Sequence, residues 1–306
     1  MAVAVAGHPT GHQGRMRRLL GRDPIGYAFI APYVLFLGGL FAYPLLVALY
    51  ISFFDYFFAA PGAHVARPFV GLRNYVEVLG DPTFQRSILN VAEFILINVP
   101  LTVLLALVLA SALNAKLPFR TFFRVSYYIP YVTASVAVIG VWLWLFSGGG
   151  LLNGVLGPLS PKPSWLVNEL WAMPVIALVV TWKQLGFYVL LYLAALQNIP
   201  RELYEAAEVD GAGVVRRFTA ITVPGVRSVT TLVVILATIV GANLFTEPYL
   251  LTGGGGPNGA SMSPVLLMYR EGIEQGHAGY AAAIGTVLAI AVMAISAFNR
   301  FVLERE

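Results

Sequence analysis

Cysteine is absent from this 306-residue chain, which excludes a disulfide framework and any thiolate-held metal centre and leaves the redox compartment unstated. Charge is scarce too. Asp, Glu, Lys and Arg make up 11% of residues, against about 25% in an ordinary soluble domain. The four histidines, His8, His12, His64 and His277, are scattered and show no metal-ligand spacing. No G-x-x-x-x-G-K-[ST] stretch offers a phosphate cradle, and neither an H-E-x-x-H helix nor a G-x-S-x-G elbow occurs. Gly253 to Gly256 lacks a following lysine and reads as a flexible hinge or a surface for a partner. No basic cluster with interleaved aromatics is present to track a phosphate backbone, so nucleic acid is not an expected partner. The expected catalytic residues and metal ligands are therefore none.

What is present is apolar. Hydrophobic residues make up 58%, and the mean hydropathy is +0.77. A bilayer core of about 30 Å needs about 20 apolar residues of helix. Six stretches qualify, at about 28–54, 88–113, 125–146, 171–196, 226–251 and 279–302. They are continuously apolar rather than alternating, which argues for helices and against a barrel. Prolines at Pro44, Pro100, Pro130 and Pro174 predict kinks. The start of the chain, ending in RMRRLLGRDP, reads as a basic tail over residues 1–26 before an uncleaved first span. Placing the N-terminus in the cytoplasm puts thirteen of the nineteen Lys and Arg on inner segments and five on outer loops, with Lys183 inside a span. Both termini are then cytoplasmic. Trp142, Trp144, Trp165 and Trp171 fall near the outer boundary, where an aromatic belt is expected. Two outer loops are longer than tight connections require. One holds FVGLRNYVEVLGD, a short amphipathic helix, and the other holds LTGGGGPNGAS before a short helix around 264–273.

One inner loop, residues 198–225, is unlike the rest of the chain. It contains EAAEVDGAGVVRRFTAITVP, with Glu202, Glu205, Glu208, Asp210 and the pair Arg216 and Arg217 close together. Asn198 and Pro200 suit a helix start, and Glu202 and Glu205 sit near the positive end of its dipole. Gly211 supplies a turn, a second helix runs from about Val214 to Ala220, and Pro224 opens the next span. Leu203, Ala206, Ala207 and Asp210 recur at i, i+3, i+4 and i+7, which predicts one small-residue face with a charged rim, suited to docking another protein.

The spacing Glu205-Ala206-Ala207, three residues, Gly211, nine residues, Ile221, one residue, Val223-Pro224 resembles the EAA loop of binding-protein-dependent ABC importers, with Val223 where Leu is usual. The stretches YPLLVALYISFFDY, YYIPYVTASVAVIGVWLWLF, LYLAALQNIPRELYEAAEVDGA and PYLLTGGGGPNGAS are similar to the carbohydrate and glycerol-phosphate branch of these permeases, the MalF and UgpA type. The resemblance covers nearly the whole chain. It implies an all-α membrane protein with the type I ABC importer permease fold, six transmembrane helices in a single domain over residues 27–306, and a prokaryotic plasma membrane. It implies partners as well: a second homologous permease, two ATP-binding subunits that carry ATP and Mg, and an extracytoplasmic solute-binding protein. The loop, through Glu205, Ala206, Ala207, Asp210, Gly211, Ile221 and Pro224, is then the ATPase-docking element. Gly213 stands where Ser is frequent, so the second helix is expected to start less firmly.

Polar groups inside lipid-embedded helices are costly and mark a translocation path. TWKQLGFY and GANLFTEPY supply Trp182, Gln184, Tyr188, Asn243, Phe245 and Glu247, the aromatic faces, amides and carboxylate that hold sugars; Asn243 and Glu247, four apart, are expected on one helical face. Each also has a packing or interhelical reading, as do Lys183, Glu93 and Asn98. A neutral carbohydrate is the first expectation, because the outer loops lack the dense Arg and Lys cluster that would favour a strongly anionic ligand. A glycerol-phosphate or polyol solute is the alternative. An ion-coupled carrier is the more distant rival, weakened by the scarcity of midspan acids.

Overall fold

The computed structural model describes residues 24–59, 62, 65–115 and 119–303; most of the basic tail, with His8 and His12, and likewise His64 and Lys116, lie outside the described residues. Among the described residues the chain is helical, with two isolated antiparallel bridges, Phe54 with Phe69 and Phe57 with His277, and no strand. It divides into two units, residues 1–51 and 52–306. In the first, α1 (Pro24–Leu37) and α2 (Tyr43–Ile51) are joined by a five-residue π-turn, Gly38–Ala42. The second unit holds α3 (Arg73–Gly80), α4 (Pro82–Asn114), α5 (Arg120–Val132), α6 (Ser135–Phe146) and α7 (Leu151–Leu156). It continues with α8 (Ala172–Leu196), α9 (Arg201–Val209), α10 (Val214–Arg217), α11 (Val223–Gly225), α12 (Arg227–Ala242), α13 (Thr246–Leu251), α14 (Pro264–Tyr269) and α15 (Ala278–Leu303).

Five described segments are long and apolar enough to cross a membrane: Phe29–Ile51, Pro82–Asn114, Ser135–Leu159, Ala172–Leu196 and Ala278–Ile295. A sixth forms if Val214–Gly225 and Arg227–Ala242, bent by 70°, count as one. The chain is thus a multi-pass helical membrane protein. Prolines shape two of these segments in the same way. The π-turn Gly38–Ala42 ends two residues before Pro44, and the π-turn Phe218–Thr222 ends two residues before Pro224. A proline ring collides with the carbonyl four residues back and offers no N–H. Widening the preceding turn avoids that clash: Tyr43 N–H bonds Gly38 O, and Val223 N–H bonds Phe218 O. At Pro100 the helix runs on without interruption.

Two expected spans are not single helices. The 125–146 stretch is α5 and α6, separated at Thr133 and Ala134, whose ψ angles of 140° and 129° are extended. Pro130 removes a helical donor there, and Thr133 Oγ1 turns back to Ile129 O at 2.8 Å. The 226–251 stretch breaks after Ala242, with Asn243 and Phe245 outside helical geometry before α13 restarts. Pro248 is the cause. It has no N–H for Leu244 O, and that carbonyl accepts from Ser263 Oγ in the following loop instead.

α8 is apolar nearly all round and is the most enclosed helix, as that composition requires. Lipid is as apolar as leucine, so its seams depend on close packing and interhelical hydrogen bonds rather than on the hydrophobic effect. Against α5 the approach is backbone to backbone, since a Cβ at Gly186 would lie 2.0 Å from Tyr127 O. Against α4, Asn98 Nδ2 donates to Thr181 Oγ1 at 2.7 Å, both buried, which gives Asn98 the interhelical role. Phe94, Met173, Ile176 and Val180 form one core at the Ala172 end of α8; Ala106, Tyr192, Leu193 and Val233 form another at the Leu196 end. A third joins Val78 of the amphipathic α3 to Leu266 of α14 and Ile284 of α15.

The four-glycine stretch is a bonded turn, which corrects the expectation of a flexible hinge. Gly253 to Gly256 all have positive φ, between 66° and 111°. Gly254 N–H bonds Tyr249 O at 3.0 Å, and Gly256 N–H bonds Thr252 O at 3.2 Å. Asn90 Nδ2 holds the next residues through Gly259 O and Met262 O, at 2.7 and 2.9 Å.

Candidate coupling hairpin and solute path

The hairpin begins where α8 ends. Asn198 N–H and Ile199 N–H bond Ala195 O and Leu196 O, tightening the last turn, while Asn198 Nδ2 reaches back to Ala194 O. Pro200 is the N-cap of α9, without a side-chain cap, and Glu202 lies in the first turn. α9 closes through Asp210 N–H to Ala206 O, Gly211 N–H to Glu208 O and Ala212 N–H to Ala207 O, at 3.0, 3.0 and 2.8 Å. Gly211 sits at φ +73°, in the left-handed region that favours glycine, with open space where a Cβ would stand. Its requirement is one of backbone conformation. Gly213 caps α10 with backbone alone, as its lack of a side chain predicts.

Two contacts clamp the hairpin: an ion pair from Arg217 to Glu208, and a hydrogen bond of 3.0 Å between Tyr204 Oη and Thr222 Oγ1. Between its helices lies a cleft of about 170 Å³, lined by Ala207, Asp210, Ala212, Arg216, Ala220 and Ile221 among others. The expected docking face is therefore divided. Ala207 and Ile221, half-buried, turn into the cleft, and Asp210 stands on its rim; Glu205, Ala206, Gly211 and Pro224 are exposed. No residue of α9 is buried. Three valines missed in the sequence reading add to the open surface: Val209, Val214 and Val215 are 88%, 74% and 77% exposed. Their signal was an apolar residue at either side of the Gly211 turn. Pro224 lies within α11, ahead of the 70° bend, rather than opening α12, and the bend falls at buried Val226.

The six path candidates are distributed unevenly. Trp182 is partly exposed and lines a groove of about 680 Å³ that runs along the α5–α6 break, with Thr133, Pro130 and Ile129 on one part and Val141 and Trp142 on another. Its ring meets that of Trp142 edge-on at 5.3 Å. Gln184 accepts from Tyr188 Oη at 3.1 Å, and Tyr188 is buried, so this pair is occupied within the protein. Asn243 is exposed and donates to Ile239 O at 2.8 Å. Because the helix ends at Ala242 and restarts at Thr246, Asn243 and Glu247 do not share a helical face, contrary to expectation. Phe245 is stacked on Tyr249 at 5.4 Å and meets Tyr269 edge-on at 5.2 Å, and Tyr249 and Tyr269 are 5.6 Å apart. That three-ring cluster at the α12–α13 break was not foreseen, because Tyr269 arrives from α14 across the glycine turn. Lys183 Nζ, halfway along α8, donates to Ser135 Oγ at the start of α6.

Broken apolar helices around a groove, joined to an exposed polar hairpin, define a membrane-embedded transport subunit. Residues 99–305 match the family described as the binding-protein-dependent transport system inner membrane component, and the chain belongs to it. It is 35% identical over 275 residues to an arabinooligosaccharides transport system permease protein of Bacillus subtilis (strain 168), covering 88% of this chain and 85% of that one. It is 32% identical over 290 residues to a lactose transport system permease protein of Rhizobium radiobacter, covering 93% and 95%. A sulfoquinovosyl glycerol transport system permease protein of Agrobacterium fabrum is 31% identical over 280 residues, covering 91% and 90%. In fold, the chain is similar to one in the crystal structure of a bacterial ABC transporter involved in the import of the acidic polysaccharide alginate. The TM-score is 0.77 with 24% identity, over 95% of this chain and 99% of that one.

Proposed function

We propose that this chain is one of two membrane subunits of an ATP-driven importer, and that it passes a sugar or oligosaccharide from an extracytoplasmic solute-binding protein to the cytoplasm by alternating access. The observation that carries the reading is the hairpin. It presents Glu205, Ala206, Asp210 and Gly211 beside the exposed Val209, Val214 and Val215, an apolar patch with a charged rim that fits a protein groove. In this reading residues 1–26 are a cytoplasmic tail, residues 27–306 one permease domain of six transmembrane helices with both termini cytoplasmic, and residues 198–225 the coupling loop. A second homologous permease and two ATP-binding subunits complete the complex, and ATP and Mg belong to those partners. The names of the relatives, for arabinooligosaccharides, lactose and sulfoquinovosyl glycerol transport, support a sugar and lend nothing to glycerol phosphate. Trp182, Asn243, Phe245 and Glu247 belong to the solute path, with Gln184 and Tyr188 supporting it.

The test is a mild-detergent pull-down through a tag on this chain, with masses of the co-purifying proteins and an ATPase assay. Recovery of a second permease and an ATPase, with hydrolysis stimulated by one solute-loaded binding protein, is the expected result. Uptake driven by an ion gradient, with no ATPase recovered, would overturn it.

A further inference from the structure

Lys183 is the twelfth residue of the 25-residue α8, about 16 to 20 Å from either end at 1.5 Å per residue. That is deeper than a lysine stem reaches, so its charge cannot snorkel to either boundary. An ammonium has three donors. One is used on Ser135 Oγ, and no carboxylate pairs with it among the described residues. The helices packed on α8 carry just two acids, Glu93 of α4 and Glu247 of α13. Glu93 lies five residues before Asn98, whose partner Thr181 is level with the middle of α8, and Glu247 is beyond the α12–α13 break. Neither offsets this cation.

The surroundings give the charge a use. Trp182, its chain neighbour, lines the groove of about 680 Å³, and Thr133 and Ala137, flanking its partner Ser135, line the same groove. That volume is in the range of small-molecule sites. Indole faces at Trp142 and Trp182 suit a sugar ring. We propose that Lys183 is the charge-selecting residue of the path and that the importer carries a saccharide bearing an anionic group, a carboxylate, sulfonate or phosphate. This rests on the reading of the groove at Trp182 as solute path. A neutral sugar hydroxyl accepts a hydrogen bond from the ammonium but leaves its charge uncompensated, whereas an anionic substituent does both.

The absence of cysteine supplies the test. Trp182→Cys is placed in the full chain, assembled with its partners in native membranes, and labelling is read on this chain's gel band. Two impermeant methanethiosulfonate reagents are compared, one with a sulfonate head and one with a trimethylammonium head, each rate divided by its rate with a free thiol. With Lys183 present the sulfonate reagent is expected to react at least tenfold faster, roughly the ratio that a unit charge about 6 Å away sets even at the dielectric of bulk water, since it attracts one head group and repels the other. Lys183→Met brings the ratio to about one, and Lys183→Arg retains it. Equal rates with Lys183 present overturn the proposal, because a neighbouring chain's carboxylate then already neutralises the lysine, and a sulfonate preference that Lys183→Met does not move overturns it as well, because another cation then sets it. Failure of both reagents at Trp182→Cys and at Thr133→Cys, with the exposed Leu170→Cys reacting, removes the path reading itself. The two failures are therefore distinguishable.

Discussion

Replacement of Gly211 tests the coupling reading most directly, and the structure sets a graded expectation. At φ +73° an alanine incurs roughly 1–2 kcal/mol from its Cβ against the backbone, with no other clash, because nothing lies within 4 Å of the built position. Proline costs more. Its φ is fixed near −65°, and it cannot donate the N–H that bonds Glu208 O at 3.0 Å, a loss of about 1 kcal/mol. It also disfavours Asp210 in its present conformation, φ −74° and ψ 4°. Each 1.4 kcal/mol lowers the population of the native turn tenfold if the alternative turn is otherwise isoenergetic. The damage stays local, since α9 contributes no buried residue to the membrane cores. In proteoliposomes Gly211→Ala is thus expected to lower solute uptake per ATP hydrolysed partially, and Gly211→Pro severely, while membrane insertion and permease pairing are retained. Coupled uptake at the normal ratio in Gly211→Pro would refute the reasoning, and so would loss of insertion in both variants.

Glu205→Lys reverses a charge on an exposed, unburied helix, so it is expected to weaken ATPase recovery in the pull-down without lowering the amount of inserted chain; equal ATPase recovery would remove Glu205 from the docking surface. Gly186→Ala forces a Cβ to within 2.0 Å of Tyr127 O and separates α5 from α8, with overpacking worth about 1–3 kcal/mol. A lower melting temperature of the detergent-solubilised complex is expected there and not for Gly140→Ala, which meets nothing within 4 Å; equal temperatures for the two would show the seam to be loose. Asn243→Ala and Glu247→Ala are expected to change uptake KM or kcat more than complex yield, and unaltered kinetics in both would return these residues to a structural role.

The apolar segments were legible in the sequence because a membrane helix announces itself by length and continuity alone. The hairpin was legible for a different reason, since its charges, Gly211 and fixed spacing stand out against that background. The breaks were hidden. PYVTASVAV remains apolar across Thr133 and Ala134, so hydropathy does not register the change of direction that Pro130 and the Thr133 side chain impose. At Asn243 the deciding residue is Pro248, five positions on, and the carbonyl it leaves free is satisfied by Ser263 from a loop fifteen residues further along. Such a break depends on a tertiary partner. The same holds for the aromatic cluster, where Tyr269 meets Phe245 through packing that no local pattern encodes.

The positions of these breaks bear on how the hairpin would act on the proposed solute path. α10 and α11 run into α12 through the bend at Val226, and a Cβ on Gly225 would meet the Ile199 side chain at 2.6 Å, so the two feet of the hairpin touch. On the proposed coupling, force applied to its exposed surface would reach α8 through Ile199 and α12 through Val226 together. α8 is continuous and carries Trp182 and Lys183, whereas the helix beside it at the groove is divided at Thr133 and Ala134. α12 likewise ends at Ala242. Displacing the continuous helix would then change the width of the groove at its middle, with the extended Thr133 and Ala134 as the place where the divided helix can turn. On the proposed coupling, the groove therefore opens and closes at the level of Lys183, where the Lys183–Ser135 bond crosses from the continuous helix to the divided one.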